Sequence, residues 1–253
     1  MICRDEHGYR ILGALDGGEK WEMIYHDRRP ALRCGGENVF YSGTFGLDDF
    51  MAEAGLAEGW HVRRKQGYAE ALRRFDMPFA RKMAYTVRHR LGNQHLLVRH
   101  DFYPGQGMTV KDGLRVTPVE FVEAIESYRI FSQKLSWGVW SELRSESFEG
   151  EEVPLMMEFR RNDGLIIAVG LGHDLWRWRG GLADEKAGVL RCELDNDHGT
   201  WKLTWHWQLR SEEELLPELR DFRFTYFIHW YGTTSGDTDG SEDGRVEELR
   251  VDE

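Results

Sequence analysis

The tightest constraint on this chain is a two-residue rhythm of apolar side chains, broken by short turns rich in Gly, Asn and Asp. Leu155, Met157 and Phe159 alternate with Met156, Glu158 and Arg160, and Asn162-Asp163-Gly164 then reverses the chain. Leu165, Ile167, Val169 and Leu171 resume the apolar set. Side chains leave a strand on alternate sides, so this period specifies strands with one buried face. Residues 189–195 and 200–210 flank Asn196-Asp197-His198-Gly199. Setting Asp195 opposite Thr200 pairs Leu194 with Trp201, Cys192 with Leu203, Leu190 with Trp205, and Glu193 with Lys202. Phe222, Phe224, Tyr226, Ile228 and Trp230 form the apolar face of a last strand, with Arg223, Thr225, His229 and Tyr231 on the other. These segments are expected to form an antiparallel meander from Val153 onward.

The same rhythm opens the chain. Residues 9–15 and 20–26 flank Asp16-Gly17-Gly18-Glu19, and 31–34 and 39–42 flank Gly35-Gly36-Glu37-Asn38, which reads as two hairpins. A third hairpin is expected over 83–103 around Gly92-Asn93, with Leu91 opposite Gln94. It collects Met83, Tyr85, Val87, His89, Leu96, Val98, His100 and Phe102 on one face. Arg88, Arg90, His95, Leu97, Arg99 and Asp101 fall on the other. A slip by one residue would turn the apolar set to water, so the faces are well specified. In this register the Cα atoms of His89 and His100 stand roughly 13 Å apart, too far to share a metal ion.

Other segments carry a helical spacing. Thr117-Pro118-Val119-Glu120 has the form of a capping box with Pro at the first helical position. Phe121, Val122, Ile125, Tyr128, Ser132 and Leu135 follow at intervals of three and four. A long amphipathic helix is therefore expected over 117–135, packed on the C-terminal sheet, with shorter helices over 47–57, 68–75 and 212–219. Together these features predict an α+β fold. Residues 1–232 are expected to make a single body, with 104–116 as the point where it would divide. Residues 233–253, with eight acids against two arginines, read as a disordered acidic tail.

Charge is unevenly placed. Residues 61–103 hold ten Arg and Lys against three acids, net +7, in a chain whose net charge is −11. This stretch centres on the polar face of the third hairpin. Arg88, Arg90, Arg99 and His95 there, with Arg191 and Arg223, are the candidate ligand-binding residues, since guanidinium forks suit carboxylate and phosphate. A solvated face neutralised by acids elsewhere in the fold is the plain alternative. His206 and His229 are the candidate catalytic acid and base, on the premise that their strands are neighbours. The Trp176-Arg177-Trp178-Arg179 run and His173-Asp174 are weaker candidates.

No GxSxG, HExxH, phosphate loop or dinucleotide fingerprint occurs, and Asp237-Thr238-Asp239-Gly240 fails the calcium-loop template, so neither cofactor nor metal is expected. Three scattered cysteines and a charged, unapolar start point to a reduced, cytoplasmic protein with no membrane span. These readings favour a binding or interaction protein that docks an anionic small molecule or an acidic protein surface on its basic hairpin. An enzyme acting on an anionic small molecule stands second, and nucleic-acid binding third.

Overall fold

The computed structural model describes residues 1–15, 18–26, 29–47, 56–57, 59–77, 83–103, 114–122, 125–132, 138–179, 188–209 and 221–232. Every regular element among them is an antiparallel strand except a single 3-10 turn at Gly150–Glu152. Numbered in chain order, the strands build two sheets. The nine-stranded sheet runs β1 (Ile2–Asp5), β2 (Gly8–Ala14), β3 (Lys20–His26), β4 (Ala31–Cys34), β5 (Glu37–Leu47), β11 (Leu114–Phe121), β18 (Thr200–Leu209), β17 (Gly188–Asp197), β14 (Glu146–Glu149). The ten-stranded sheet runs β13 (Ser141–Glu142), β12 (Ile125–Phe131), β15 (Met156–Arg161), β16 (Leu165–Arg179), β19 (Asp221–Gly232), β10 (His95–Tyr103), β9 (Met83–Leu91), β8 (Ala69–Met77), β6 (Leu56–Ala57), and β7 (His61–Arg64) also pairs with β8.

The sheets lie face to face because each turns one apolar side inward. Trp21 of β3 meets Trp230 of β19 edge to face, with centroids 5.3 Å apart, and Trp205 of β18 packs on Phe224 and Tyr226 of β19. Phe121 and Phe159 close another part of the core at 4.7 Å. Aromatic pairs in these geometries add to the burial of their area. Trp205 and Trp230 are almost wholly buried, at 1% and 0% exposure.

The α+β expectation is overturned, and its central element shows why. The segment predicted as a helix over 117–135 is two strands, β11 and β12. Pro118 sits where the pairing of β11 with β18 shifts by one residue between Val116 and Val119. A proline has no N–H to give to a ladder, and a bulge removes the need for one. A second shift, between Ile125 and Ser127 in the pairing with β15, sends the buried series from Ile125 to Tyr128. Two strands, each with a one-residue shift in its pairing, thus imitate a helical spacing of four and three. Residues 68–75, also expected helical, are mostly β8, which pairs with β9 from Ala69 to Met77. Of the shorter helices, 212–219 lies outside the described residues, and 47–57 retains there only the end of β5 and the short β6. The 233–253 stretch read as an acidic tail is likewise outside them.

The hairpins predicted at the N-terminus are present as β2–β3 and β4–β5. The β9–β10 and β17–β18 hairpins form with the expected faces, but each register is displaced by two residues. Leu96 stands opposite Leu91, and Cys192 opposite Trp205. A displacement of two leaves every side chain on its own side of the sheet. In β17–β18 the reason is the turn: His198 and Gly199 both adopt positive φ, 53° and 91°, so they alone form the two-residue connection. The C-terminal meander is not sequential. β17 and β18 cross into the nine-stranded sheet, and β19 returns to pair with β16 and β10.

Candidate functional site

The outer face of the ten-stranded sheet carries the most organised polar cluster among the described residues. His95, His229, Ala168, Glu158 and Arg129 are successive cross-strand partners on β10, β19, β16, β15 and β12. Tyr231, Ile166, Arg160 and Ser127 form the next row along. Alternation in each strand explains why polar groups gather here: their neighbours Ile228, Val169 and Phe159 are the buried inner set. Beneath the cluster Ile166 and Ala168 are buried although they face outward, so the larger side chains close over them.

Glu158 is the hub and is only 5% exposed. Its Oε1 accepts a 2.7 Å hydrogen bond from the Tyr231 hydroxyl, and its Oε2 accepts one from Arg129 Nε and forms an ion pair with it. A buried carboxylate held by a cation and a hydroxyl is kept in one orientation. Burial and the neighbouring Glu158 carboxylate push the Tyr231 phenol well above its ordinary range. The Arg129 and Arg160 guanidinium groups lie over the Trp140 ring at 4.7 and 4.0 Å. Arg160 Nε is buried without a hydrogen-bond partner among the described residues. Across Ala168, the rings of His229 and Tyr231 lie 5.3 Å apart, and His95 sits 6.1 Å from His229 while stacking on Phe227 at 6.0 Å. Burial, reinforced by His229, lowers the His95 pKa to about 4, so this imidazole is neutral at physiological pH.

The residues chosen from sequence divide between places. His229 and His95 belong to this cluster. His206 does not: it lies on β18 in the other sheet, turned to that sheet's outer face, so the premise that its strand adjoins that of His229 does not hold. Arg191 is its cross-strand partner there and lies 3.3 Å from Glu149. Arg223 has Asp101 and Arg177 as register partners in the ten-stranded sheet.

The arginine-rich docking face is also corrected. Arg99 forms a 2.8 Å ion pair with Asp101 on the same strand, and Arg88 approaches Glu70 at 4.0 Å, while Arg63 binds the same carboxylate. Arg90 lies over the Tyr68 ring at 5.7 Å. Burial opposes ionisation of Glu70, but Arg63, Arg88 and Lys65 outweigh it and hold the pKa below the usual range. The chain's own carboxylates and rings therefore occupy these guanidinium groups. Arg129 and Trp140 escaped sequence reasoning altogether, because β12 reads as a helix and Trp140 lies outside the strands.

No group of three or more His, Cys, Asp or Glu suited to a metal ion occurs among the described residues, and their cysteines are free. No helix among them is long and apolar enough to cross a membrane.

Two facing antiparallel sheets make this chain a β-sandwich. No protein-family model and no curated protein sequence matches the chain. Solved structures do. A galactose mutarotase related enzyme from Lactobacillus acidophilus superposes with a TM-score of 0.51 at 10% identity, covering 90% of this chain and 98% of that one. The α-N-acetylgalactosaminidase NagBb from Bifidobacterium bifidum, in complex with Gal-NHAc-DNJ, gives 0.52 at 10% identity. That match covers 88% of this chain but only 36% of the much longer enzyme. At such identity the shared feature is the fold.

Proposed function

We propose that the outer face of the ten-stranded sheet binds a small carbohydrate. The observation that carries this reading is the Glu158 hub, whose carboxylate, with the Tyr231 hydroxyl and the Arg129 guanidinium, forms a fixed hydrogen-bonding group beside the Trp140, Tyr231 and His229 rings. Aromatic faces pack against the C–H faces of a pyranose, and oriented polar groups select its hydroxyls. The fold supports the same reading, because the solved structures that share it include proteins described as sugar enzymes.

Charge narrows the ligand. Glu158 neutralises one of the two arginines, and the neutral His95 adds nothing, so Arg160 leaves the cluster one positive charge in excess. A sugar acid is favoured over its neutral parent. Ligand-observed NMR with galactose, N-acetylgalactosamine and galacturonate tests this. Galacturonate is expected to bind more tightly than galactose, and Glu158→Gln to weaken both at least tenfold. Equal binding by the variant, or no binding of any of the three, refutes the reading.

A second reading makes the face catalytic. His229 and Glu158 stand two strands apart, which places an imidazole to deliver a proton and a carboxylate to accept one on the two sides of a bound ring. Interconversion of sugar anomers needs a proton removed from the anomeric hydroxyl and one delivered to the ring oxygen. Polarimetry on freshly dissolved sugar measures this directly. Loss of rate in His229→Gln with binding retained supports catalysis, and a rate equal to buffer refutes it.

A further inference from the structure

A second site lies on the opposite side of the molecule, on the outer face of the nine-stranded sheet. There a cavity of about 540 Å³ is lined by His7, Ile24, His26, Arg29, Ala31, Arg33, Asn38 and Tyr41. Its floor is apolar. Ile24 and Ala31 are cross-strand partners on β3 and β4, only 4% and 6% exposed although they face outward. Tyr41, the partner of Ala31 on β5, forms a wall, with the Arg29 guanidinium over its ring at 5.9 Å. An apolar floor, an aromatic wall and a few convergent polar groups are the usual make-up of a small-molecule site.

The rim sets the chemistry. Arg29 is neutralised by Glu120 at 2.7 Å. Arg33 is not neutralised: its Nε donates to Asn38 Oδ1 at 2.7 Å, and it makes no ion pair among the described residues. Its register partner Glu22 is drawn instead toward Arg10, at 3.6 Å. Asn38 Nδ2 in turn donates to the Tyr41 hydroxyl at 3.5 Å, which ties Arg33 to the wall of the cavity. His26 Nε2 is buried and finds no hydrogen-bond partner among the described residues, as is Arg29 Nε. One excess guanidinium, held by Asn38 at the edge of an apolar floor and an aromatic wall, calls for an oxyanion attached to a flat, apolar body.

We propose that this cavity binds a small ring-bearing anion, its carboxylate or phosphate on Arg33 and its ring on Ile24 and Ala31 against Tyr41. The site is independent of the carbohydrate face, since the two lie on opposite outer surfaces of the sandwich. Benzoate is the probe, with benzamide as the neutral control, and the readout is ligand-observed NMR on the full chain. Benzoate is expected to bind at least tenfold more tightly than benzamide. Arg33→Gln should abolish that preference, and Arg33→Lys should keep part of it. Tyr41→Ala should weaken both probes by a similar factor. Inorganic phosphate that displaces benzoate points to phosphate esters, and failure to displace it points to carboxylic acids. Equal affinity for benzoate and benzamide, or an unchanged preference in Arg33→Gln, overturns the proposal.

Discussion

Lowering the pH from 7 to 5 should destabilise this protein steeply, because two histidines are sealed in its core. His89 and His100 are 1% and 0% exposed, on the inner faces of β9 and β10. His89 packs against the Tyr25 and Trp60 rings at 5.5 and 5.0 Å, and His100 stacks on Tyr226 at 5.5 Å. Burial depresses both pKa values to about 3, from 6.5, and His100 lowers that of His89 further. The unfolded chain therefore binds protons below about pH 6.5 that the folded chain refuses, so stability falls as pH falls. Each group loses about 1.4 kcal/mol per pH unit below 6.5, or about 2 kcal/mol by pH 5. The two together remove about 4 kcal/mol, and His95, lowered to about 4, adds about 2 more, a large share of the roughly 5–15 kcal/mol that holds a domain folded. The carboxylates held below their usual range, Asp5, Glu70 and Asp197, lose their contribution only at lower pH, so the window above pH 5 reports the histidines. Urea unfolding at pH 7.5, 6.5, 5.5 and 5.0 measures the slope, and a His89→Gln, His100→Gln double variant should cut it by about two thirds, leaving the share of His95. A wild-type stability unchanged between pH 7 and 5, or His89 and His100 imidazole resonances that titrate near 6.5 in the folded protein, refutes the reasoning.

Three further outcomes follow from packing and backbone. Trp230→Ala removes a ring that joins both sheets through Trp21 and Phe40, and should cost about 3–5 kcal/mol in urea unfolding. Gly8→Ala should cost ~2 kcal/mol or more by the same measurement, since Gly8 has φ of 149° and a Cβ there would lie 2.2 Å from the Tyr25 carbonyl oxygen. His198→Asn should raise the thermal midpoint, by about 0.5 kcal/mol of stability, because Asn accepts the left-handed conformation of this exposed turn more readily than His.

Sequence alone was enough to divide faces but not to join strands. The inward sets Val87, His89, Leu96, Val98 and His100, or Phe224, Tyr226, Ile228 and Trp230, are legible because burial on one side imposes a period of two, whatever the partner strand. Register was legible only to within two residues, since that displacement leaves each face intact, and turn residues such as His198-Gly199 settle it. The period of three and four over 117–132 misled, because β11 and β12 each carry one shift of register, and together they reproduce a helical spacing. A local pattern carries no mark of a bulge; the ladder across from it does.

Which residues come together was decided by topology. The last strands look sequential, yet β17 and β18 cross to the nine-stranded sheet, which separates His206 from His229 and leaves His229 with Glu158, Tyr231 and Arg129. The basic hairpin had the charge of an anion-binding face, but Glu70 and Asp101 of the same sheet take up Arg88 and Arg99. Composition determines how much charge a chain has. Only strand order determines which opposite charge lies within reach, because a salt bridge or a site depends on distances of a few ångströms between residues far apart along the chain.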